Sequence, residues 1–263
     1  MKANWKIALM CIATIAMVAC KPEPEPIPDP DDDDPQVESK ISVTDNSIDD
    51  WATLPAEFVV SAVCPEDASM TGLKSVKVYA DEIYVNVLVE PDMDEIPLHG
   101  WVPFHIYLNT DNSDATGGYG DEFADANTDI LLEGAIFAGP DPDNDPETGD
   151  KCEYAPAVFK WWGEVNGSGW EWTDPSVEHD ASDYWGALIG EGNLAGCSSQ
   201  WVGDVLEIQF MRETVTATWS ETEFGIGFDI QQAWNSVGIL PLVSPTDDNA
   251  DGHTNKLQVR INK

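Results

Sequence analysis

The sequence predicts an all-β protein, an antiparallel β-sandwich or jelly roll of roughly ten to twelve strands. From residue 41 onward, apolar and polar residues alternate with a period of two, which is the spacing of a half-buried strand. Clusters of Gly, Asn, Asp and Pro separate these segments, and residues of these types form turns. No window has the apolar spacing of a sustained helix, so helix is expected to be limited to a turn or two.

Five segments have the clearest alternation. LKSVKVYADEIYVNVLVE (73–90) predicts a hairpin that turns at Asp81-Glu82. The other segments are PFHIYLN (103–109), VLEIQFM (205–211), FGIGFDIQ (224–231) and KLQVRIN (256–262). In the segment 103–109 we expect Phe104, Ile106 and Leu108 to face the core, and the residues between them to point the other way.

The N-terminus has the pattern of an exported, lipid-anchored protein. Lys2 and Lys6 flank the start of a short apolar stretch that ends in Met17-Val18-Ala19-Cys20. This resembles the lipobox of bacterial lipoproteins, although Met17 stands where Leu is more usual. We therefore expect residues 1–19 to be a signal peptide that is removed, and Cys20 to carry the lipid. A plain secretory signal that happens to contain a cysteine is the alternative.

The next segment, residues 20–40, is acidic, Pro-rich and devoid of large aromatic residues. Such a composition cannot bury enough apolar surface to fold, so it predicts an extended tether ahead of a domain at 41–263. An acidic run close to the lipidated cysteine also resembles the surface-export signal of Bacteroidota lipoproteins. We expect attachment to the outer membrane, facing the cell exterior; a solvated spacer is the simpler interpretation, and both can hold.

The formal net charge of −37 restricts the partners. A surface this acidic repels nucleic acid and anionic lipid and is compatible with neutral ligands and divalent cations.

Of the five cysteines, Cys11 lies in the signal peptide and Cys20 is the lipid site. We expect Cys152 and Cys197 to form a disulfide that closes the tryptophan-rich segment, and Cys64 to be a buried thiol.

Three short landmarks resemble family 9 carbohydrate-binding-module-like (DOMON-like) domains. They are ISVTDNSIDDWATLP near the start, VKVYADEIYVNVLVE, and FHIYLNTDNSDATGGYGDEFADANTDILLEG. Asp45, Asp50 and Trp51 match the first landmark, while Asn46 stands where Gly is usual. The resemblance implies a β-sandwich that often carries structural calcium and, in many relatives, binds sugars. Other relatives bind haem or have no known ligand.

Three acidic loops could bind calcium, which prefers oxygen ligands. In DDNADGHTN (247–255) the spacing resembles an EF-hand loop, but the twelfth position is Gln258 instead of Glu. DPDNDPETGD (141–150) resembles a thrombospondin-like acidic repeat, and NTDNSDATGG (109–118) is the loop that the family resemblance favours. The candidate ligands are Asp247, Asn249, Asp251 and His253 in the first loop, Asp141, Asp143 and Asp145 in the second, and Asp111, Asp114 and Asp129 for the third. The alternative for all three is a solvated turn.

The aromatic residues suggest a sugar-binding surface. In WWGEVNGSGWEW (161–172) a two-residue turn at Gly167-Ser168 would pair Gly163 with Trp172 and Val165 with Trp170. This arrangement leaves only Trp162 facing outward, beside charged residues. The candidate ligand-binding residues are Trp162, Lys160, Glu164, Glu171, Trp185 and Trp234, with Trp201, Trp219 and Gln231 also available.

The predicted function is therefore non-catalytic binding of a polysaccharide or host glycan, on behalf of an outer-membrane transporter or hydrolase. A glycoside-active enzyme that uses Glu164 and Glu171 is one alternative. A structural or adhesive surface protein, in which every tryptophan belongs to the core, is another. Haem binding through His105 or Met211 is weaker, because a lone His on a strand is usually structural.

Overall fold

The computed structural model describes residues 39–96, 101–118, 122–138, 150–164, 170–172, 194–215, 217–233 and 235–263. Within the strands, the side chains of residues 138, 150, 162–164 and 170–172 lie outside this description. Ser39–Lys263 forms one compact unit.

Strands dominate the described residues, which confirms the predicted all-β class. The strands are β1 Val59–Val63, β2 Leu73–Asp81, β3 Tyr84–Pro91, β4 Trp101–Asn109, β5 Ile130–Ala138, β6 Asp150–Lys151, β7 Ala157–Glu164, β8 Trp170–Trp172, β9 Cys197–Val202, β10 Val205–Met211, β11 Glu223–Gln232, β12 Asn235–Leu240 and β13 Leu257–Asn262. Three single-turn 3-10 helices span Asp49–Ala52, Ala56–Phe58 and Arg212–Thr214. No helix in these ranges is long and apolar enough to cross a bilayer.

All of these strands belong to one sheet, whose main path runs β8-β7-β5-β4-β11-β13-β2-β3-β10-β9. β1 pairs with β2, β12 with β11, and β6 with β5. Almost every pairing is antiparallel, as the sequence predicts. The exception is β13, which runs parallel to β2 through the pairs Ile261↔Ala80 and Asn262↔Asp81.

One face of the sheet lines the main core. Val76 and Val78 of β2 pack in the same cluster as Phe104, Ile106 and Leu108 of β4, and all five side chains are fully buried. Strands β2 and β4 are separated by β13 and β11 along the sheet, so the sheet must curl for their side chains to share one core. The inward faces predicted from the alternation are therefore confirmed.

The opposite face of the sheet is also covered, in two places. One cover is the outer cluster, which consists of Tyr107, Phe123, Leu131, Trp161, Ile239 and Leu242. The other contains Ile41, Val43, Trp51, Leu54, Tyr79 and Leu88, and it forms where residues 41–54 fold back over β2 and β3. The second face of β4 is thus buried too, which alternation within one strand does not reveal.

A polar anchor fixes this N-terminal segment. The indole Nε1 of Trp51 donates a hydrogen bond of 2.6 Å to Oε1 of Glu207, and the Nε2 atom of Gln200 donates one of 2.6 Å to Oε2 of the same carboxylate. Burial raises the pKa of Glu207, while these two donors oppose that rise. A buried carboxylate is tolerated here because both of its oxygens accept strong hydrogen bonds.

Candidate functional site

The predicted tryptophan hairpin forms, but with a different register. Trp161 lies opposite Trp172, and Glu164 lies opposite Trp170. The predicted pairs of Gly163 with Trp172 and of Val165 with Trp170 are therefore wrong. Between these two pairs, β7 contains two residues and β8 contains one. A two-to-one arrangement of this kind is a β-bulge, and the extra residue in β7 shifts the register.

Trp161 itself is buried in the outer cluster, with 8 % of its surface exposed, as strand parity predicts. Lys160, on the same strand, is half-buried and lies opposite Ile130. The backbones of Trp162, Glu164 and Glu171 lie in β7 and β8, but their side chains are outside the described residues. Because the Cα partner of Glu164 is Trp170, the register does not place Glu164 directly opposite Glu171, as the glycosidase alternative requires.

Several other predicted site residues lie outside the described ranges. They are Trp185, Trp234, Asp141, Asp143 and Asp145.

The loop after β4 brings two predicted calcium ligands together. The Oδ2 atom of Asp129 accepts hydrogen bonds from the backbone N and the hydroxyl of Thr110, at 2.8 and 3.1 Å. Burial, followed by the nearby charge of Asp111, raises the pKa of Asp129. Asp114, in contrast, accepts a 2.8 Å bond from the side-chain amide of Asn127. The Asp111–Asp129 pair thus concentrates negative charge that a cation would relieve.

The predicted EF-hand-like turn at 247–255 is closed by its own hydrogen bonds. The side-chain amide of Asn249 donates a hydrogen bond of 2.8 Å to the carbonyl oxygen of His253. The sequence pattern assigns this oxygen to a metal. Asp247 and Asp251 are exposed, and Gly252 has a φ of 71°, a conformation suited to glycine. Among the described residues, no three His, Cys, Asp or Glu side chains converge as a ready-made metal site.

The predicted disulfide between Cys152 and Cys197 is not formed. Both residues are free thiols, as is Cys64, which is half-buried. The Sγ atom of Cys152 points to the carbonyl oxygen of Ala135 at 3.4 Å, and that of Cys197 points to the carbonyl oxygen of Tyr154 at 3.6 Å. The two sulfurs are thus engaged with different backbone groups, and burial raises the pKa of Cys197 to about 12.

A row of polar side chains crosses the outer face of β5, β4 and β11. His105 Nε2 lies 3.3 Å from Glu133 Oε2, and His105 Nδ1 lies 3.7 Å from Asp229 Oδ2 and 3.2 Å from the hydroxyl of Tyr107. The 3.7 Å separation between His105 Nδ1 and Asp229 Oδ2 is longer than a good hydrogen bond. Because both ring nitrogens face polar partners on neighbouring strands, the geometry does not favour His105 as an axial haem ligand.

A pocket of about 270 Å³, which we call the end pocket, opens at one end of the sandwich. The β2–β3 turn, the segment between β10 and β11, and the end of β13 form its walls. Its lining residues are Glu82, Arg212, Trp219, Ser220, Glu221, Ile261 and Lys263.

Arg212 holds the walls of the end pocket in place. Its guanidinium donates to the carbonyl oxygens of Asp81 at 3.3 Å, of Glu82 at 3.2 Å and of Ser220 at 3.1 Å. The same group lies 5.0 Å from the ring centroid of Trp219, whose other contacts include an edge-to-face packing on Phe224 at 5.2 Å. The arginine therefore covers part of the indole and ties two loops to it.

The end pocket offers both hydrogen-bond donors and acceptors. Its two basic residues, Arg212 and Lys263, balance the two acidic residues, Glu82 and Glu221, although the chain as a whole is strongly acidic. Lys263 Nζ lies 3.6 Å from Glu221 Oε2, and both side chains are exposed enough to rearrange. Such a lining suits a neutral ligand with several hydroxyl groups.

In the sequence, Trp219 is only one of several available tryptophans, and no motif distinguishes Arg212, Glu82 or Lys263. These residues come from three separate parts of the chain, so no local motif joins them. The sequence signal that could have pointed to this pocket is Arg212, which lies close to Trp219 in a chain with only 12 Lys and Arg residues. No family model, curated protein or solved structure matches this chain.

Proposed function

We propose that this protein is a glycan-binding lipoprotein, anchored in the outer membrane and displayed at the cell surface, that performs no chemistry on its ligand. The observation that supports glycan binding is the end pocket, where Trp219 lies beside balanced donors and acceptors. Sugar rings present apolar C–H groups and hydroxyl groups together, so they suit an aromatic ring flanked by polar side chains.

The size of the end pocket restricts the ligand. Its volume of about 270 Å³ falls just below the range of roughly 300–1,000 Å³ that is typical of pockets for drug-sized ligands. It therefore suits one sugar ring, such as a terminal or branching residue of a longer glycan. The balanced charge favours a neutral sugar, because the field of the whole protein repels anions.

The landmark residues shared with family 9 carbohydrate-binding-module-like domains have structural roles that fit the proposal. Asn46 has a φ of 57°, in the region that suits the glycine usual at that place in the family. Asp50 accepts a 3.0 Å hydrogen bond from the backbone of Ser42, and Trp51 binds Glu207. These residues order the N-terminal segment, and ligand binding is left to other parts of the sandwich.

We also propose a structural calcium ion at the loop after β4. Asp111 and Asp129 would supply carboxylate oxygens there, and main-chain oxygens and water would complete the oxygen-rich shell that calcium requires. The ion would lower the repulsion between the two carboxylates and so stabilise the loop. Its role would be structural, since this loop is not among the residues that line the end pocket.

Isothermal titration against a panel of neutral glycans tests the binding function. The variants Glu82→Gln and Lys263→Ala change the pocket lining without removing packed apolar groups. Each should weaken binding of the responding glycan about tenfold, which corresponds to roughly 1.4 kcal/mol for one lost hydrogen bond to a charged group. Glu57→Gln and Lys77→Ala are matched controls, because both residues are exposed and lie outside the pocket.

The outcomes separate the alternatives. Unchanged affinity in the two pocket variants would remove the end pocket as the binding site. Absence of binding to every glycan in the panel would favour a structural or adhesive role. Release of reducing sugar would identify an enzyme. Repeating the titration in EDTA shows whether calcium contributes to the affinity.

A further inference from the structure

Lys256 is a buried lysine directly before β13, and its side chain is fully shielded from solvent. Its ammonium group donates to the carbonyl oxygen of Asp125 at 2.9 Å, to Asp125 Oδ1 at 3.2 Å and to Asn127 Oδ1 at 2.9 Å. The ring centroid of Phe123 lies 5.2 Å from the same nitrogen. Lysines are almost never fully buried unless paired, so this position requires an explanation.

The three oxygens around the ammonium are a main-chain carbonyl, a carboxylate and a side-chain amide. Proteins use these same three donor types to bind calcium. Burial lowers the pKa of Lys256, and the negative charges of Asp125, Asp129 and Glu122 oppose that lowering by favouring the ammonium form. The oxygens around Lys256 therefore form a cation-binding site that is occupied by the ammonium group of the lysine itself.

This arrangement also orders neighbouring backbone. The backbone N of Lys256 donates to Asp125 Oδ1 at 3.1 Å, and the N of Ala124 donates to the carbonyl oxygen of Thr254 at 3.0 Å. Asn127 in turn donates to Asp114 in the loop after β4. The ammonium thus sits where three backbone segments meet.

We propose that the ammonium of Lys256 is a tethered cation that fills a cation-binding site formed by residues 122–127. Removing the side chain beyond Cβ should convert the same oxygens into a site for a divalent, oxygen-binding cation such as Ca²⁺. This proposal is independent of glycan binding, and the site differs from the one proposed at Asp111 and Asp129.

The test compares thermal unfolding of the full chain in EDTA and in millimolar Ca²⁺. In EDTA, Lys256→Ala and Lys256→Met should both unfold at a lower temperature than the wild type. Calcium should raise the midpoint of Lys256→Ala by about 4 °C more than it raises that of the wild type, because the alanine leaves room for the ion. Lys256→Met should show no such gain, since its side chain still occupies the space.

Two further variants make the result specific. Lys256→Ala combined with Asp125→Asn should lose the additional calcium response, because a carboxylate ligand is removed. Lys77→Ala, at an exposed position, should respond to calcium as the wild type does. Should Lys256→Ala fail to fold in EDTA, recovery of its native circular dichroism in Ca²⁺ would support the proposal. Failure to recover would overturn it, as would equal calcium-induced shifts in Lys256→Ala and the wild type.

Discussion

The Nε2 atom of His105 lies 3.3 Å from the Oε2 atom of Glu133, across the pair formed by β4 and β5. His105 is 4 % exposed, and Asp229 lies on the other side of its imidazole. Burial acts to lower the pKa of His105, but the two carboxylates outweigh it and raise the pKa from 6.5 to about 9. The two carboxylates therefore favour the charged form of His105 at neutral pH.

This relationship predicts a pH-dependent contribution to stability. Because the pKa in the folded state exceeds that of the unfolded chain, the contribution is fully present below pH 6.5 and is lost as the pH rises through about 9. Relative to His105→Gln, the wild type should gain up to about 3 kcal/mol in free energy of unfolding near pH 6, where both carboxylates are still ionised, and much less above pH 9. Urea unfolding across the pH range measures this difference. A pH-independent difference, or an imidazole that titrates near 6.5 by NMR, would contradict the prediction.

The close approach of Gly118 to Trp161 predicts a second effect. A Cβ atom at residue 118 would overlap the indole of Trp161, which is packed in the outer cluster. Gly118→Ala should therefore lower the free energy of unfolding by about 1–3 kcal/mol, the usual effect of overpacking. Adding Trp161→Phe should recover part of this loss, because the smaller ring leaves room for the methyl group.

Gly203→Ala is the comparison for this prediction. Nothing lies within 4 Å of a Cβ at residue 203, and its φ is 61°. Its substitution should therefore cost only the backbone strain, about 1 kcal/mol. Denaturant unfolding provides the measurement, and absence of coupling between residues 118 and 161 would show that the overlap is relieved elsewhere.

The anchor of the N-terminal segment predicts a third effect. Trp51→Phe removes the 2.6 Å hydrogen bond to Glu207 and leaves one oxygen of a buried carboxylate without that donor. The expected loss in free energy of unfolding is about 1–3 kcal/mol. Trp101→Phe is the matched control, because Trp101 is 48 % exposed and its substitution should have an effect of less than about 0.5 kcal/mol. Equal losses in the two variants would mean that the hydrogen bond contributes little.

Calcium should stabilise the protein through Asp111 and Asp129. Millimolar Ca²⁺ should raise the unfolding midpoint over that in EDTA by about 5 °C, because it binds only the folded loop. Asp129→Asn should remove most of this shift. Asp247→Asn should leave it unchanged, since the 247–255 turn is closed by its own hydrogen bonds. If Asp247→Asn removes the shift instead, the calcium lies in that turn; no shift in the wild type argues against any calcium site.

The lipobox-like segment predicts membrane attachment through Cys20. Cys20→Ser should abolish incorporation of a labelled fatty acid and move the protein out of the membrane fraction. Cys11→Ser is the control, because this cysteine precedes the predicted cleavage point and should have no effect on either readout. Retention of the label in Cys20→Ser would place the modification elsewhere.

Much of the fold could be predicted from local sequence. The alternation in 73–90 and 103–109 identifies β2, β3 and β4, and it assigns Val76, Phe104 and Ile106 correctly to the main core. These predictions succeed because the direction of a side chain in a strand depends on its position in that strand alone.

The remainder depended on contacts between distant parts of the chain. Burial of the second face of β4 requires Phe123, Trp161 and Ile239 from other parts of the chain, and nothing in the segment 103–109 encodes that. The bulge in β7 shifts the register of the tryptophan hairpin by an amount that turn length does not fix. Likewise, Arg212 and Trp219 meet Glu82 only because β2, β3 and β10 are neighbours in the sheet.

The position of β13 has a consequence for the order of folding. This strand lies between β11 and β2. Along the main path of strands it therefore connects the half that contains β4 and β5 with the half that contains β2 and β3. The pairs of β2 with β3 and of β4 with β5 can form before residues 257–262 join the sheet. Each half of the sheet keeps an open edge until β13 pairs with both β11 and β2.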